Sequence, residues 1–77
     1  MTSIRSELYQ KIIELLVAAR KDAGVTQTEL GNRLGQRQTF VSKFELGERR
    51  LDVAEFIEIA REIGVDPCAL MQEAEKD

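Results

Sequence analysis

Apolar residues recur at three- and four-residue steps along this chain, in short runs that glycines separate. That spacing is typical of α-helices with one buried face, and the glycines limit the length of each helix. The first run predicts a helix that starts near Ser3, which can cap its first turn, and ends at Gly24. Its apolar face would comprise Ile4, Leu8, Ile12, Leu16, Ala19 and Ala23, widened by Ile13 and Leu15.

Two shorter helices are predicted to follow, joined by a tight turn. Thr26 and Glu29 have the spacing of a capping box, so they mark the start of the second helix, which Gly35 ends. The third helix is predicted from about Gln38 to Leu46. The inward residues would be Leu30 and Leu34 in the second helix and Val41 and Phe44 in the third, with Leu46 as an edge contact.

Gly31 lies between the two inward leucines of the second helix. A glycine there lets another backbone segment approach closely, and we favour this interpretation over a glycine that the helix merely tolerates. Two short helices joined by a glycine-containing turn form a helix-turn-helix unit, here residues 26–46.

Two further helices are predicted in the C-terminal third. Asp52 and Glu55 repeat the capping-box spacing, and Gly64 would end the fourth helix. Asp66 followed by Pro67 is typical of the start of a fifth. The apolar positions are Val53, Phe56, Ile57, Ala60 and Ile63, then Ala69, Leu70 and Met71. No segment has a strand pattern, so we predict an all-α protein with a single domain over residues 1–77.

The composition excludes several classes of site. The chain has no histidine and only Cys68 as a thiol, so it can form no intrachain disulfide, and a zinc site is improbable. We interpret Cys68 as a small apolar residue, and an unpaired thiol suits a cytoplasmic protein. We also expect no cofactor and no small-molecule ligand. No apolar run approaches the roughly 20 residues of a membrane span, and no glycine-rich phosphate loop is present. An enzyme is therefore the least expected class.

The net charge of −3 is unevenly distributed. Residues 26–50 carry five basic side chains against three acidic ones, whereas residues 51–77 carry two against eight. A chain with a mildly basic part and an acidic part can still orient on a polyanion such as DNA.

Three stretches together resemble one family. They are TQTELGNRLG at 26–35, QTFVSKFELG at 38–47 and LDVAEFIEIAREIGVDP at 51–67. In order and spacing they are similar to the Cro and phage-repressor type of helix-turn-helix domain, the XRE family, and the match covers about Leu16 to Met71. The resemblance implies a compact five-helix, lambda-repressor-like DNA-binding domain with a helix-turn-helix formed by helices 2 and 3.

The resemblance also implies a function. Family members bind double-stranded DNA as homodimers on a palindromic or near-palindromic operator and control transcription. Phage-type repressors, restriction–modification controllers and antitoxins all use this domain, and the residues alone leave these three roles open. Two residues depart from the family pattern: Gln36 stands where an apolar residue is common, and Arg37 where a small capping residue or proline is common.

The outward face of the third helix is the predicted reading surface. An α-helix fits the major groove, and short polar or amide side chains there can form hydrogen bonds with base edges. We predict base contacts by Gln38, Thr39, Ser42 and Lys43. The alternative is an ordinary solvated helix face, which the family spacing disfavours.

Contacts to the DNA backbone are predicted around this helix. The family's counterpart of Gln27 contacts a phosphate and supports the recognition helix through Gln38. The other predicted backbone contacts are Arg37, Phe40, Arg49 and Arg50, whereas Arg33 could equally be a solvated charge. Phe40 lies between the inward and outward edges, so we expect it to be partly exposed.

Two further predictions concern structure. In the family, the arginine at the position of Arg20 pairs with the glutamate at the position of Glu45; the alternative is two independent surface charges. The dimer is predicted to form through residues 51–73, using Leu51, Val53, Val65, Leu70 and Met71, although these residues could instead complete the core. A competing function is a helical protein–protein interaction module that uses the acidic C-terminal third.

Overall fold

Five helices account for most of residues 6–76, the part of the chain that this computed structural model describes. They are α1 (Glu7–Asp22), α2 (Gln27–Leu34), α3 (Gln38–Glu45), α4 (Val53–Ile63) and α5 (Pro67–Glu75), and no strand occurs among the described residues. The predicted all-α, five-helix fold is confirmed.

Within the described residues, the first helix begins at Glu7. Its N-cap is Ser6, whose hydroxyl accepts a hydrogen bond from the Tyr9 backbone N–H at 3.2 Å. The predicted start near Ser3 and the apolar position Ile4 lie outside the described residues. At the other end, Gly24 has a φ of 72°, the left-handed conformation that the sequence predicts there.

Both predicted capping boxes are present. The Thr26 hydroxyl accepts from the Glu29 backbone N–H at 3.0 Å, and the Glu29 carboxylate accepts from the Thr26 backbone N–H at 3.3 Å. Asp52 and Glu55 make the same reciprocal pair at the start of α4, at 2.7 and 3.0 Å. The starts of α2 and α4 are thus determined locally.

All five helices contribute side chains to one core. Its fully buried side chains include Leu16, Leu30, Val41, Phe44 and Ile59. Val41 and Phe44 are the predicted inward pair of α3. Ile59 was missed by the sequence interpretation, which had placed Val53 on the buried face of α4 instead.

Four large residues from the predicted apolar positions are exposed. Val53 and Leu46 are each 69% exposed, Leu8 is 47% exposed and Met71 is 37% exposed. The buried face of α4 is formed by Phe56, Ile59, Ala60 and Ile63, so Val53 at the first helical position lies off that face. Leu46 follows the last turn of α3 and points away from the core.

The close approach predicted at Gly31 is confirmed. A Cβ atom at this position would lie 3.1 Å from the carbonyl carbon of Arg37 and 3.1 Å from the carbonyl oxygen of Gln36. The turn before α3 therefore packs directly on the backbone of α2, and a side chain at this position would require the turn to shift by a few tenths of an ångström. This contact determines how closely α3 lies against α2.

No helix in the described part of the chain is both long enough and apolar enough to cross a membrane.

Candidate nucleic-acid interface

The outward side of α3 carries a row of accessible polar side chains. Val41 and Phe44 anchor the opposite side in the core. Gln38, Thr39 and Lys43 are exposed, and Ser42 is half-buried. Positions 38 and 42, like 39 and 43, are one helical turn apart, so the four predicted base contacts form one continuous strip.

Gln38 is held in place by a chain of hydrogen bonds. Its Nε2 donates to Oε1 of Gln27 at 2.6 Å, and Nε2 of Gln27 donates to Oε1 of Glu45 at 2.9 Å. Gln27 is the first residue of α2, and Glu45 is the last residue of α3. The amide that begins the reading strip is therefore oriented by both helices of the helix-turn-helix unit.

The same carboxylate ties α3 to α1. Arg20 donates from Nε to Oε2 of Glu45 at 2.7 Å and from Nη2 to Oε1 at 3.0 Å. Its Nη1 donates to the Val25 carbonyl at 2.8 Å, and the two charged side chains are only 9% and 8% exposed. A buried pair of this kind fixes orientation more than it adds net stability, because desolvation offsets the attraction.

Two exposed cations belong to this surface, one at the edge of the strip and one within it. Arg37 occupies the N-cap position of α3 without making a side-chain cap hydrogen bond, and Lys43 lies in the last turn. Both are exposed. The departure from the family pattern at Arg37 thus leaves α3 without a side-chain cap and puts a positive charge at the edge of the reading strip.

Three other arginines already have partners. Arg49 forms an ion pair with Glu55, the guanidinium of Arg50 lies 4.5 Å from the centre of the Tyr9 ring, and Nη1 of Arg33 donates to the Glu62 carbonyl at 2.8 Å. Arg33 is thus not simply a solvated charge, since it binds a carbonyl in the last turn of α4.

Phe40 is half-buried, as the sequence interpretation favoured. Its ring packs edge-on against Phe44 at a centroid distance of 5.7 Å, and the guanidinium of Arg49 lies 4.8 Å from its centre. This ring faces both the core and the loop after α3.

The predicted dimer residues divide into three groups. Leu51 and Leu70 are buried within the chain itself, which favours the alternative that they complete the core. Val53 and Met71 border an apolar cleft of about 160 Å³ between α1 and the start of α4. Val65 borders a different groove, between α1 and α5, beside Ala18 and Ala69. The five residues therefore border two different surfaces, with Leu51 at the first and Leu70 at the second.

Two contacts that the sequence interpretation missed organise this region. The Tyr9 hydroxyl accepts a hydrogen bond from the Leu51 backbone N–H at 2.9 Å, and Glu55 binds Arg49 in addition to capping α4. No short-range pattern indicates the Tyr9 contact, because its partner lies 42 positions away. Among residues 6–76, no three acidic or cysteine side chains are grouped closely enough to hold a metal ion.

Comparisons with known proteins agree with this geometry. The sequence model of the helix-turn-helix family matches residues 16–70. Repressor protein C of Rhizobium phage 16-3 is 34% identical over 62 residues, which are 80% of this chain and 23% of the phage protein, so the chain spans less than a quarter of that relative. The solved structure of an XRE-family like protein from Pseudomonas syringae pv. tomato str. DC3000 matches with a TM-score of 0.86 and 54% identity, over 88% of this chain and 83% of that one.

Proposed function

The chain belongs to the XRE family of helix-turn-helix proteins, and on this premise we propose that it represses transcription by placing α3 in the major groove of double-stranded DNA. The choice of repression follows the phage repressor that the chain resembles. A restriction–modification controller or an antitoxin would use the same DNA-binding surface.

One observation carries this proposal. The side chain at the start of α3, Gln38, is exposed and yet fixed by its 2.6 Å hydrogen bond to Gln27. A glutamine amide can pair with both N6 and N7 of adenine, and a fixed amide avoids part of the entropy lost when a mobile one binds. An ordinary solvated helix face does not need this support.

The remaining polar contacts have distinct roles in the proposal. Thr39, Ser42 and Lys43 lie along the same strip and contact further base edges. Gln27, Arg37 and Arg50 are placed on the sugar–phosphate backbone, where contacts position the protein but carry no sequence information. Phe40 approaches the backbone through the part of its ring that stays accessible.

A homodimer extends the reading surface. One helix contacts only a few base pairs, and a two-fold pair of helices separated by about 34 Å reads a palindromic or near-palindromic operator. We place the interface at Val53 and Met71, because Val53 projects beside an apolar cleft bordered by Tyr9, Ile12 and Phe56. In a two-fold contact, each copy's Val53 can enter the cleft of the other.

Base reading and phosphate binding can be separated by two substitutions. Gln38→Ala is expected to weaken operator binding by about 1–3 kcal/mol and to relax the preference at one base pair. Arg37→Ala is expected to weaken binding to all duplexes alike and to reduce the salt slope by about 0.9 per copy. Affinity for an operator and its single-base variants, measured at several salt concentrations, distinguishes the two. Parent-like affinity and selectivity in the Gln38→Ala protein would mean that the recognition helix is misplaced.

A further inference from the structure

The backbones of α3 and α4 do not lie directly against each other. In the part of the chain that the structure describes, no Cα atom of α3 lies within 8 Å of a Cα atom of α4. The space between the two helices is crossed by Phe40 from α3, Arg49 from the loop and Glu55 from α4. These three side chains therefore link α3 to α4 directly, in addition to the packing of both helices on α1 and α2.

The three side chains form a stack with defined geometry. Nη1 and Nη2 of Arg49 donate to the two carboxylate oxygens of Glu55, at 3.0 and 2.7 Å. Nη1 also donates to the Arg50 carbonyl at 3.2 Å. The guanidinium carbon lies 4.8 Å from the centre of the Phe40 ring, within the range of a cation–π contact. The planar fork of arginine is required for both contacts at once.

The Glu55 end of the stack is fixed independently. Oε1 of Glu55 accepts a hydrogen bond from the Asp52 backbone N–H at 3.0 Å, as part of the capping box of α4. The hydrogen bond from Arg49 lowers the pKa of Glu55, with a further contribution from the Asp52 backbone. The carboxylate is thus charged at neutral pH and attached to the first turn of α4.

This arrangement disfavours Arg49 as a phosphate ligand. A guanidinium that is paired with a carboxylate contributes little net charge toward a polyanion, and it would have to leave Glu55 to reach a phosphate. We propose instead that Arg49 is a positioning residue, which holds Phe40 and thereby sets the placement of Gln38 and Thr39 on the bases. This inference rests on the proposed DNA-binding function.

The two roles of Arg49 predict different effects on binding. A phosphate contact contributes to every duplex and to the salt dependence, because each neutralised phosphate changes the slope by about −0.9. A positioning residue contributes to the discrimination between operator and unrelated DNA. It also requires the planar guanidinium, so lysine should fail to replace it even though the charge is kept.

The test compares Arg49→Lys, Arg49→Gln and Glu55→Gln with Arg37→Gln as the matched phosphate-contact control. Affinities for an operator selected by the parent and for an unrelated duplex are measured across a range of salt concentrations. The two Arg49 variants are expected to lower the operator-to-unrelated ratio by about 10-fold, the loss of roughly one base contact, with an unchanged salt slope. Glu55→Gln, which keeps the capping hydrogen bond, is expected to lower the ratio in the same direction.

Each other outcome counts against the inference. Arg49 would be a phosphate ligand if Arg49→Lys kept the parent's affinity ratio. The same conclusion would follow if Arg49→Gln reduced the salt slope as much as Arg37→Gln does. Thermal unfolding of each variant is followed in parallel. The inference requires a lower operator-to-unrelated affinity ratio at temperatures where the variant is fully folded. A parent protein that binds no duplex would overturn the proposed function itself. If the parent distinguishes operator from unrelated DNA and the Arg49 variants distinguish them equally well, only the inference is overturned.

Discussion

Replacing Glu45 with alanine is expected to lower the free energy of unfolding by about 3–5 kcal/mol, the usual cost of removing one partner from a buried ion pair. The substitution leaves Arg20 charged at a position that is 9% exposed and without its two hydrogen bonds to the carboxylate. It also removes the acceptor of Gln27. Because a small domain is stable by only about 5–15 kcal/mol, such a loss brings this chain close to unfolding at room temperature.

Denaturant unfolding of the Glu45→Ala protein measures this loss. Glu48→Ala is the matched control, because it removes the same charge from an exposed residue three positions further along the chain. That control is expected to stay within about 0.5 kcal/mol of the parent. A Glu45→Ala protein with the parent's melting temperature would mean that the two charges act independently.

The substitution Val53→Glu is expected to abolish the dimer and to weaken operator binding by about 10²–10⁴-fold, the usual gain from linking two binding modules. Val53 is 69% exposed, so the fold does not depend on its apolar side chain. It is also the first residue of α4, where a carboxylate is favourable because it faces the positive end of the helix dipole. The expected loss therefore comes from association and not from unfolding.

Ala54→Glu is the control for the added charge, because Ala54 is exposed on the next position of the same turn and does not border the cleft. Sedimentation is expected to show a dimer for the parent and for Ala54→Glu at micromolar concentration, and a monomer for Val53→Glu. If the parent sediments as a monomer with and without operator, the proposed dimer is wrong. If the Val53→Glu protein is still a dimer, the interface does not involve Val53.

The features that the sequence predicts best are those decided within one helical turn. Thr26 with Glu29, and Asp52 with Glu55, satisfy backbone groups only three positions away, so their spacing suffices to locate the starts of α2 and α4. Gly31 could be interpreted for a similar reason, since a glycine between two inward leucines implies a close neighbour even before that neighbour is known.

The features that the sequence interpretation missed depend on how helices cross. An apolar residue at the start of α4 fits the helical spacing whether it is buried or exposed. For this reason Val53 was assigned to the buried face of α4 and Ile59 was not. The contacts that Arg49 makes were not predicted either. Its pairing with Glu55 and Phe40 requires α3 and α4 to be placed first, and no periodicity in the chain encodes that placement.

The hydrogen bond between Gln38 and Gln27 was predicted, but not from a local sequence pattern. The residues supply two amides 11 positions apart, and only the family resemblance indicated that they meet. The structure provides the further link from Gln27 to Glu45 and Arg20, which connects the reading strip to the core.

The central claim, that α3 of a homodimer reads DNA, is tested most directly by selecting duplexes from a random pool and measuring the salt dependence of binding to the selected sequence. We expect a two-fold symmetric sequence, bound about 10³-fold or more tightly than unrelated DNA. The log–log salt slope should be about −3 to −4, for Arg37 and Arg50 in each of two copies. A slope near zero on every duplex, without enrichment of any sequence, would contradict the claim and favour a protein-binding module that uses the acidic C-terminal third.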